Sequence, residues 1–315
     1  MSFNLLLSYA LVAGVDLRRI RASMPCGRLM IDSGAFSVHK SNQGKLNQPI
    51  SVSLDDYASY LEEWSGCWDY AITLDVIGDP AASRQNTRRL HERGLPVLPV
   101  FTRGDKLADL RAMLNDTRYV CAGGLVGMND KYRIPRLQVI QRHALEFGGG
   151  VHALGIGSLP ALRATRPYSA DTSRFLMGYG FHTVQVFDGR DLHSVDILDQ
   201  GKMLRYRDLL VSHGFGVTAH LTDRRMPEGN KPGLPRWINS QALGVAAACA
   251  DEYLKQTYPV PMGADPGLHF YAVAIRTDAY AIASTDSLIH SDEAPPVWQK
   301  YRRHHVCTPR KENVA

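Results

Sequence analysis

Three aspartates stand where apolar runs stop, and the chemistry open to this chain has to be read from them. Leu29-Met30-Ile31 halts on Asp32, followed by Ser33, Gly34, Ala35 and Phe36; Ala71-Ile72-Thr73-Leu74 halts on Asp75; Tyr168-Ser169-Ala170 reaches Asp171. Two further runs stop on glycine, at Gly123-Gly124-Leu125 and at Gly155-Ile156-Gly157. Taken alone, Asp32 with its Ser and Gly reads as an Asx-type turn, because all three residue types favour turns. The recurrence changes that reading. If the runs are parallel strands, the carboxylates converge on one end of a sheet, beside backbone that carries no side chain. Paired carboxylates around an anomeric carbon serve as nucleophile and general acid/base. A metal site is the rival, but the strand tips lack the His pairs commonly used by metals that bind nitrogen and oxygen. His152 and His182 are read as core or loop histidines.

Helices must alternate with these runs to position them. Residues 54–64 place Leu54, Tyr57, Leu61 and Trp64 on one face behind a capping Ser53. Asp79-Pro80 opens a helix that Gly94 ends, and residues 95–101 form another strand. Further helices are predicted near 105–114, 130–146, 159–165 and 201–212, with a strand at 183–187. Near-continuous apolar runs alternating with amphipathic helices describe a parallel sheet covered by helices. With six or more such units and no Gly-x-Gly-x-x-Gly fingerprint, an α/β fold of the (β/α)8 TIM-barrel type outranks a doubly wound sheet. Residues 221–240 are the longest turn-rich stretch. The expected organisation is therefore a barrel over 1–220 and a C-terminal α+β extension over 221–315. That extension holds a helix at 240–256, an apolar stretch at 269–275 and a basic tail.

Composition narrows the classes. At 315 residues, 44% hydrophobic and 21% charged, the chain has the make-up of a globular protein with a large core. It has no apolar run near the ~20 residues of a membrane helix, and its N-terminus has no basic segment ahead of its apolar residues, so a cytoplasmic location is expected. Five scattered cysteines without Cys-x-x-Cys point to reduced thiols and to no structural zinc. The net charge of +5 is concentrated in Arg224-Arg225, Lys231 and the C-terminal tail, which permits a nucleic-acid partner.

The tip Asp32-Ser33-Gly34-Ala35-Phe36 resembles the Asp-Ser-Gly-Gly-Phe/Tyr motif of tRNA-guanine transglycosylases, and Gly123-Gly124-Leu125-Val126-Gly127 resembles their Gly-Gly-Leu-Ala-Val-Gly. His152-Ala153-Leu154-Gly155-Ile156-Gly157 is similar to their following Leu-Met-Gly-Val-Gly strand, and the similarity runs over about residues 29 to 175 in the same order. The resemblance implies Asp171 as nucleophile on the sugar C1′ and Asp32 as acid/base. It also implies Asp75 as the reader of guanine N1–H and N2, Phe36 as a stacking platform, and the Gly124 and Leu125 amides as donors to O6. Ser33 and Gly123 complete the base-binding set. Each pairing makes physical sense, since a carboxylate accepts two bonds from the guanine edge and an aromatic face stacks on a base.

The departures point further. Phe101-Thr102-Arg103 stands where the family has a glutamine, the Cys-x-Cys-x-x-Cys zinc site has no counterpart, and Asp171 is followed by Thr172-Ser173-Arg174. In these respects the chain looks more like the DpdA-type paralogs of phages and bacterial DNA-modification clusters. The resemblance then implies exchange of guanine in DNA for a 7-deazaguanine base such as preQ0, with no cofactor. Arg174, Arg224, Arg225 and Lys231 become candidate phosphate contacts. Exchange in tRNA is the alternative, followed by a barrel that binds nucleic acid without reacting and by a retaining glycosidase of small substrates.

Overall fold

A computed structural model of the chain describes residues 4–12, 14–24, 27–46, 49–173, 183–188, 192–196, 198–212, 269–274, 279–280 and 283. Among them, strands and helices alternate from the first residues. β1 (Asn4–Ser8) runs into α1 (Tyr9–Val12) and α2 (Leu17–Ala22), β2 (Leu29–Asp32) into α3 (Ala35–Asn42) and α4 (Leu54–Glu63), and β3 (Tyr70–Ala71) into α5 (Pro80–Glu92). β4 (Val100–Phe101) is followed by α6 (Leu107–Thr117), β5 (Tyr119–Ala122) by α7 (Asp130–Glu146), and β6 (Gly150–Ala153) by α8 (Leu159–Thr165). β7 (Ser169–Thr172) is followed by an antiparallel pair, β8 (Thr183–Phe187) and β9 (Leu192–Asp196), then by α9 (Gln200–Arg205), α10 (Arg207–Ser212) and β10 (His269–Ala274).

The helices start where their sequences supply caps. Ser53 Oγ accepts the Asp56 amide at 3.0 Å, with Asp55 and Asp56 on the favourable side of the helix dipole. Asp79 caps α5 through the Ala82 amide, with Pro80 pre-set for the first turn. Asn129 caps α7 in the same way.

Eight strands form one parallel sheet in the order β3-β2-β1-β10-β7-β6-β5-β4. The protein is thus α/β, with helices packed on one face of a parallel sheet and a separate two-stranded ribbon. The two outermost strands do not end in solvent. Just past β3 and just before β4, Ile72 and Leu98 form a parallel bridge, with Leu98 N–H donating to Ala71 at 2.7 Å and Thr73 N–H to Leu98 at 3.0 Å.

Alternation along the strands sorts side chains onto two buried faces. Leu5, Leu7, Leu29, Ile31 and Ala71 pack with Tyr57, Leu61 and Leu90 of the helices, and Val120, Ala122, Val151, Ala153 and Ala170 pack with Leu110, Leu137 and Leu162. The opposite face is a cluster made by the strands themselves: Leu6, Met30, Ile72, Val100, Cys121 and the tyrosines 119, 168 and 271. Tyr57 of α4 ties the two layers together by donating its hydroxyl to the Ile72 carbonyl at 2.7 Å.

Several expectations change here. β1 was not anticipated, and β10 comes from the stretch assigned to a C-terminal extension, yet it lies between β1 and β7 in the main sheet. The sheet therefore draws strands from both sides of residue 221. Composition misleads there, because turn-rich sequence marks a long connection as readily as a linker. The runs ending near Asp75 and Phe101 form strands of two residues each, so Asp75 lies beyond β3, in the turn before α5. The helix expected at 240–256 and the basic tail lie outside the described residues.

Candidate active site

Asp32 is the last residue of β2 and Asp171 the next-to-last residue of β7, so both stand at the C-terminal ends of parallel strands. Their alternation with Met30 and Ser169 puts both on the inner face. A glycine amide in the loop just beyond a strand holds one oxygen of each. The Gly34 N–H donates to Asp32 Oδ2 at 2.9 Å, and the Gly155 N–H donates to Asp171 Oδ1 at 2.8 Å.

Gly34 is required by its surroundings. Its φ is +87°, and an added Cβ would run into the Ala10 methyl and the Ser8 hydroxyl of the neighbouring strand–helix connection. The register that pairs Ser8 with Asp32 makes that approach unavoidable. Gly155 also has a positive φ, +69°, and sits against Val126.

Burial pushes the Asp32 carboxyl up from 3.8 to about 6, against the pull of the Gly34 amide, with the charges of Asp171 and Asp75 adding to the rise. The Ser8 hydroxyl lies close enough to lower the value, but it is not aligned as a hydrogen bond. Cys121, fully buried on the inner face, is raised by burial and by Asp32, Asp171 and Asp75 together. The three carboxylates are therefore within electrostatic reach of one point.

Asp75 owes its position to α5. Ser83 in the first turn donates its hydroxyl to Asp75 Oδ1 at 2.7 Å, and Asn86 Nδ2 donates to the Leu74 carbonyl at 2.9 Å. Burial raises the Asp75 pKa, which Ser83 counters and Asp105 adds to.

Glycine clears space at the tip of β5. An added Cβ on Gly123 would meet Val100 Cγ1 at 2.7 Å, and Gly124, at φ +67°, lies against the Thr102 hydroxyl. The Gly123 N–H is committed to the Phe101 carbonyl, so Gly123 offers room and no donor. Among the described residues, no acceptor is recorded for the amides of Gly124 and Leu125, although the Leu125 side chain is buried in the outer core. Ser33 is fully buried, with a hydroxyl that has no partner. Phe36, in the first turn of α3, is 45% exposed, with Lys40 Nζ 4.5 Å from its ring centroid. Thr102-Arg103, in place of a glutamine, bear on the same loop. Arg136 donates to the Thr102 carbonyl, and the nearby Arg103 charge adds to burial in lowering the Arg136 pKa.

The structure thus brings Asp32, Asp75 and Asp171 within electrostatic reach of one point, with Ser33 next to Asp32 in the chain, Phe36 in the first turn of α3 and residues 123–125 just past the end of β5. Arg174, Arg224, Arg225 and Lys231 lie outside the described residues. Sequence reasoning missed Ser8, Ser83 and the role of His152, which is a core histidine but one that reaches Asp171. The signal was parity: Ser8 alternates with Leu6 as Asp32 does with Met30. Among the described residues, no helix is long and apolar enough to cross a membrane. Comparison of the chain with family models, curated proteins and solved structures finds no match.

Proposed function

We propose that the parallel sheet closes as a (β/α)8 barrel and that the protein is a DNA guanine transglycosylase. Closure is supported by a strand order that follows the chain around from β1 to β7, with β10 as the eighth strand, and by the Ile72–Leu98 bridge between the outermost strands. The barrel would put its site at the C-terminal ends of the strands.

One observation carries the functional reading. Two strand-end carboxylates, each steadied by a glycine amide, are close enough to be coupled, and one of them titrates near 6. That is a nucleophile beside an acid/base of matched pKa. Asp171 attacks C1′ of the deoxyguanosine. The C1′–N9 bond breaks, its electron pair leaves with guanine, and Asp32 supplies the proton. Asp32, now ionised, then takes the N9 proton of an incoming 7-deazaguanine such as preQ0. That base attacks C1′, and the ester electron pair returns to Asp171. Asp75 reads the N1–H and N2 edge, the free Gly124 and Leu125 amides meet O6, and exposed Phe36 stacks. A stacked duplex base is out of reach, so the substrate base is flipped or single-stranded. Arg174, Arg224, Arg225 and Lys231 are proposed to hold phosphates.

The test incubates wild type and Asp171→Asn with guanine-containing single-stranded DNA and a labelled 7-deazaguanine, then resolves covalent complexes on a denaturing gel. Wild type is expected to incorporate label and to form a trapped complex that Asp171→Asn lacks. Undiminished trapping in Asp171→Asn overturns the nucleophile. Labelling of tRNA with none of DNA transfers the activity to RNA.

A further inference from the structure

A chain of buried polar groups leads from β5 across β6 to Asp171. Tyr119 Oη lies 2.6 Å from Ser169 Oγ, Ser169 Oγ is hydrogen-bonded to His152 Nδ1, and His152 Nε2 lies 3.2 Å from Asp171 Oδ1. Tyr119, Ser169 and His152 are all closed off from solvent. The ring of His152 is also set edge-on against Tyr271, at 82° and 5.7 Å between centroids. His152 Nε2 has no aligned partner of its own.

The direction of the protons follows from the geometry. A bare nitrogen lone pair 3.2 Å from a carboxylate oxygen is repulsive, whereas an Nε2 proton is attracted to that oxygen even off the hydrogen-bond axis, so Nε2 carries the proton. Burying a second ring proton as charge is costly, so Nδ1 is left as acceptor and Ser169 donates to it. Ser169 has one proton, which leaves its oxygen to accept from the Tyr119 hydroxyl. The Asp171 oxygen facing Nε2 is the same Oδ1 that the Gly155 amide holds, and among the described residues no donor is recorded for Oδ2.

We propose that Tyr119, Ser169 and His152 form a tautomer-fixing relay in which His152 Nε2–H and the Gly155 N–H restrain Oδ1 of Asp171 and present Oδ2 as the reacting oxygen. His152 is a positioning residue, acting on the carbon only through Asp171. The role assigned to Oδ2 rests on the transglycosylase reading, whereas the tautomer does not.

Two measurements separate those layers. First, 15N-histidine spectra of the full chain, with His152 assigned by its loss in His152→Gln, report the protonated nitrogen without any activity. The expected result is a proton on Nε2 alone in wild type, changed in Ser169→Ala; a proton on Nδ1 overturns the relay. Second, base exchange is measured for Ser169→Ala, Tyr119→Phe and His152→Gln, each with its thermal unfolding. Ser169→Ala is expected to lower kcat by roughly tenfold to a hundredfold with KM within about twofold, at a temperature where it is fully folded. His152→Gln, whose amide can still donate, should retain more activity than His152→Phe. Equal kcat in a folded Ser169→Ala, or equal activity of His152→Gln and His152→Phe, overturns the positioning role while base exchange stands. Absence of exchange in wild type with Nε2 protonated overturns the transglycosylase reading while the relay stands.

Discussion

Asp171 raises the pKa of Asp32 although two strands, β1 and β10, lie between theirs. In a flat sheet, with strands about 4.8 Å apart, the two carboxylates would be roughly 14 Å apart. The Ile72–Leu98 bridge beside the two outermost strands requires the sheet to curve, and the curvature brings the carboxylates at the ends of β2 and β7 closer. Their mutual repulsion is part of what keeps Asp32 available as a proton donor near neutral pH.

That repulsion and burial have a stability signature. The Asp32 pKa is higher in the fold, about 6, than the ordinary 3.8. Ionised Asp32 therefore disfavours the fold, with no effect below about pH 4, a cost growing between about 4 and 6, and the full cost above. Asp32→Asn is expected to stabilise the protein by on the order of 2 kcal/mol at pH 8, after discounting for its partial exposure, and to change nothing near pH 4. Urea unfolding at the two pH values checks this. A gain of equal size at both would refute the electrostatic cause.

The same titration shapes turnover. In the proposed exchange, guanine release needs Asp32 protonated, so its single-turnover rate should fall as pH rises through about 6, and the residual rate of Asp32→Asn, lowered by ~10²–10⁴-fold, should lack that limb. Free guanine measured in a single turnover across pH decides the point, and a flat profile in wild type would remove Asp32 from the step.

Asp75 and Ser83 should part company from the two aspartates proposed to be catalytic. If Asp75 reads guanine as proposed, Asp75→Ala leaves N1–H and N2 unmatched, and base discrimination should weaken by roughly 1–3 kcal/mol. Ser83→Ala removes the hydroxyl that counters burial, so the Asp75 pKa rises further and the acid limb of KM moves to higher pH. Competition between guanine and other bases, measured for both variants, tests this. Unchanged discrimination in Asp75→Ala would place base reading elsewhere.

Gly34→Ala should be severe for two separable reasons. The left-handed backbone costs about 1–2 kcal/mol with a side chain present, and the methyl meets Ala10 and Ser8. Relieving that contact moves the amide that holds Asp32. We expect loss of activity larger than the loss of stability implies, measured as kcat on protein shown to be folded by circular dichroism.

At the opposite end of the sheet the expected effects reverse. Arg21 donates to Asp69 Oδ2 at 3.0 Å, and that oxygen also accepts the Leu29 amide at 2.8 Å, fastening the starts of β2 and β3. Asp69→Ala removes the counter-charge of a largely buried guanidinium, which keeps the Met24 and Gly27 carbonyls as acceptors, and takes this acceptor from the Leu29 amide, at a cost of about 3 kcal/mol. Thermal unfolding should show that loss while kcat, measured below the transition, stays within about twofold.

Much of this was legible because parallel strands buried on both faces leave continuous apolar runs, and Asp or Gly at the end of such a run marks the sheet edge where it stops. Asp32 and Asp171 were found that way, and so were α4, α5 and α7, whose caps Ser53, Asp79 and Asn129 stand in the sequence. β1 was not, because the apolar run Leu5-Leu6-Leu7 is too short to show a period and reads equally as helix. β10 was hidden by the turn-rich stretch before it, since which strand a distant apolar run pairs with is settled by long-range packing. Hydroxyl residues were the other blind spot. Ser8, Ser83 and Ser169 carry no pattern until register sets them beside Asp32, Asp75 and His152.

The position of β10 sets the order in which this protein can be completed during synthesis. Until residues 269–274 leave the ribosome, β1-β2-β3 and β4-β5-β6-β7, bridged at Ile72–Leu98, leave the edges of β1 and β7 unpaired. Exposed parallel edges recruit other strands, and long-range pairing is slow. A nascent chain thus carries a sheet with two open edges through the whole translation of residues 173–268, and chaperone dependence should concentrate in that interval.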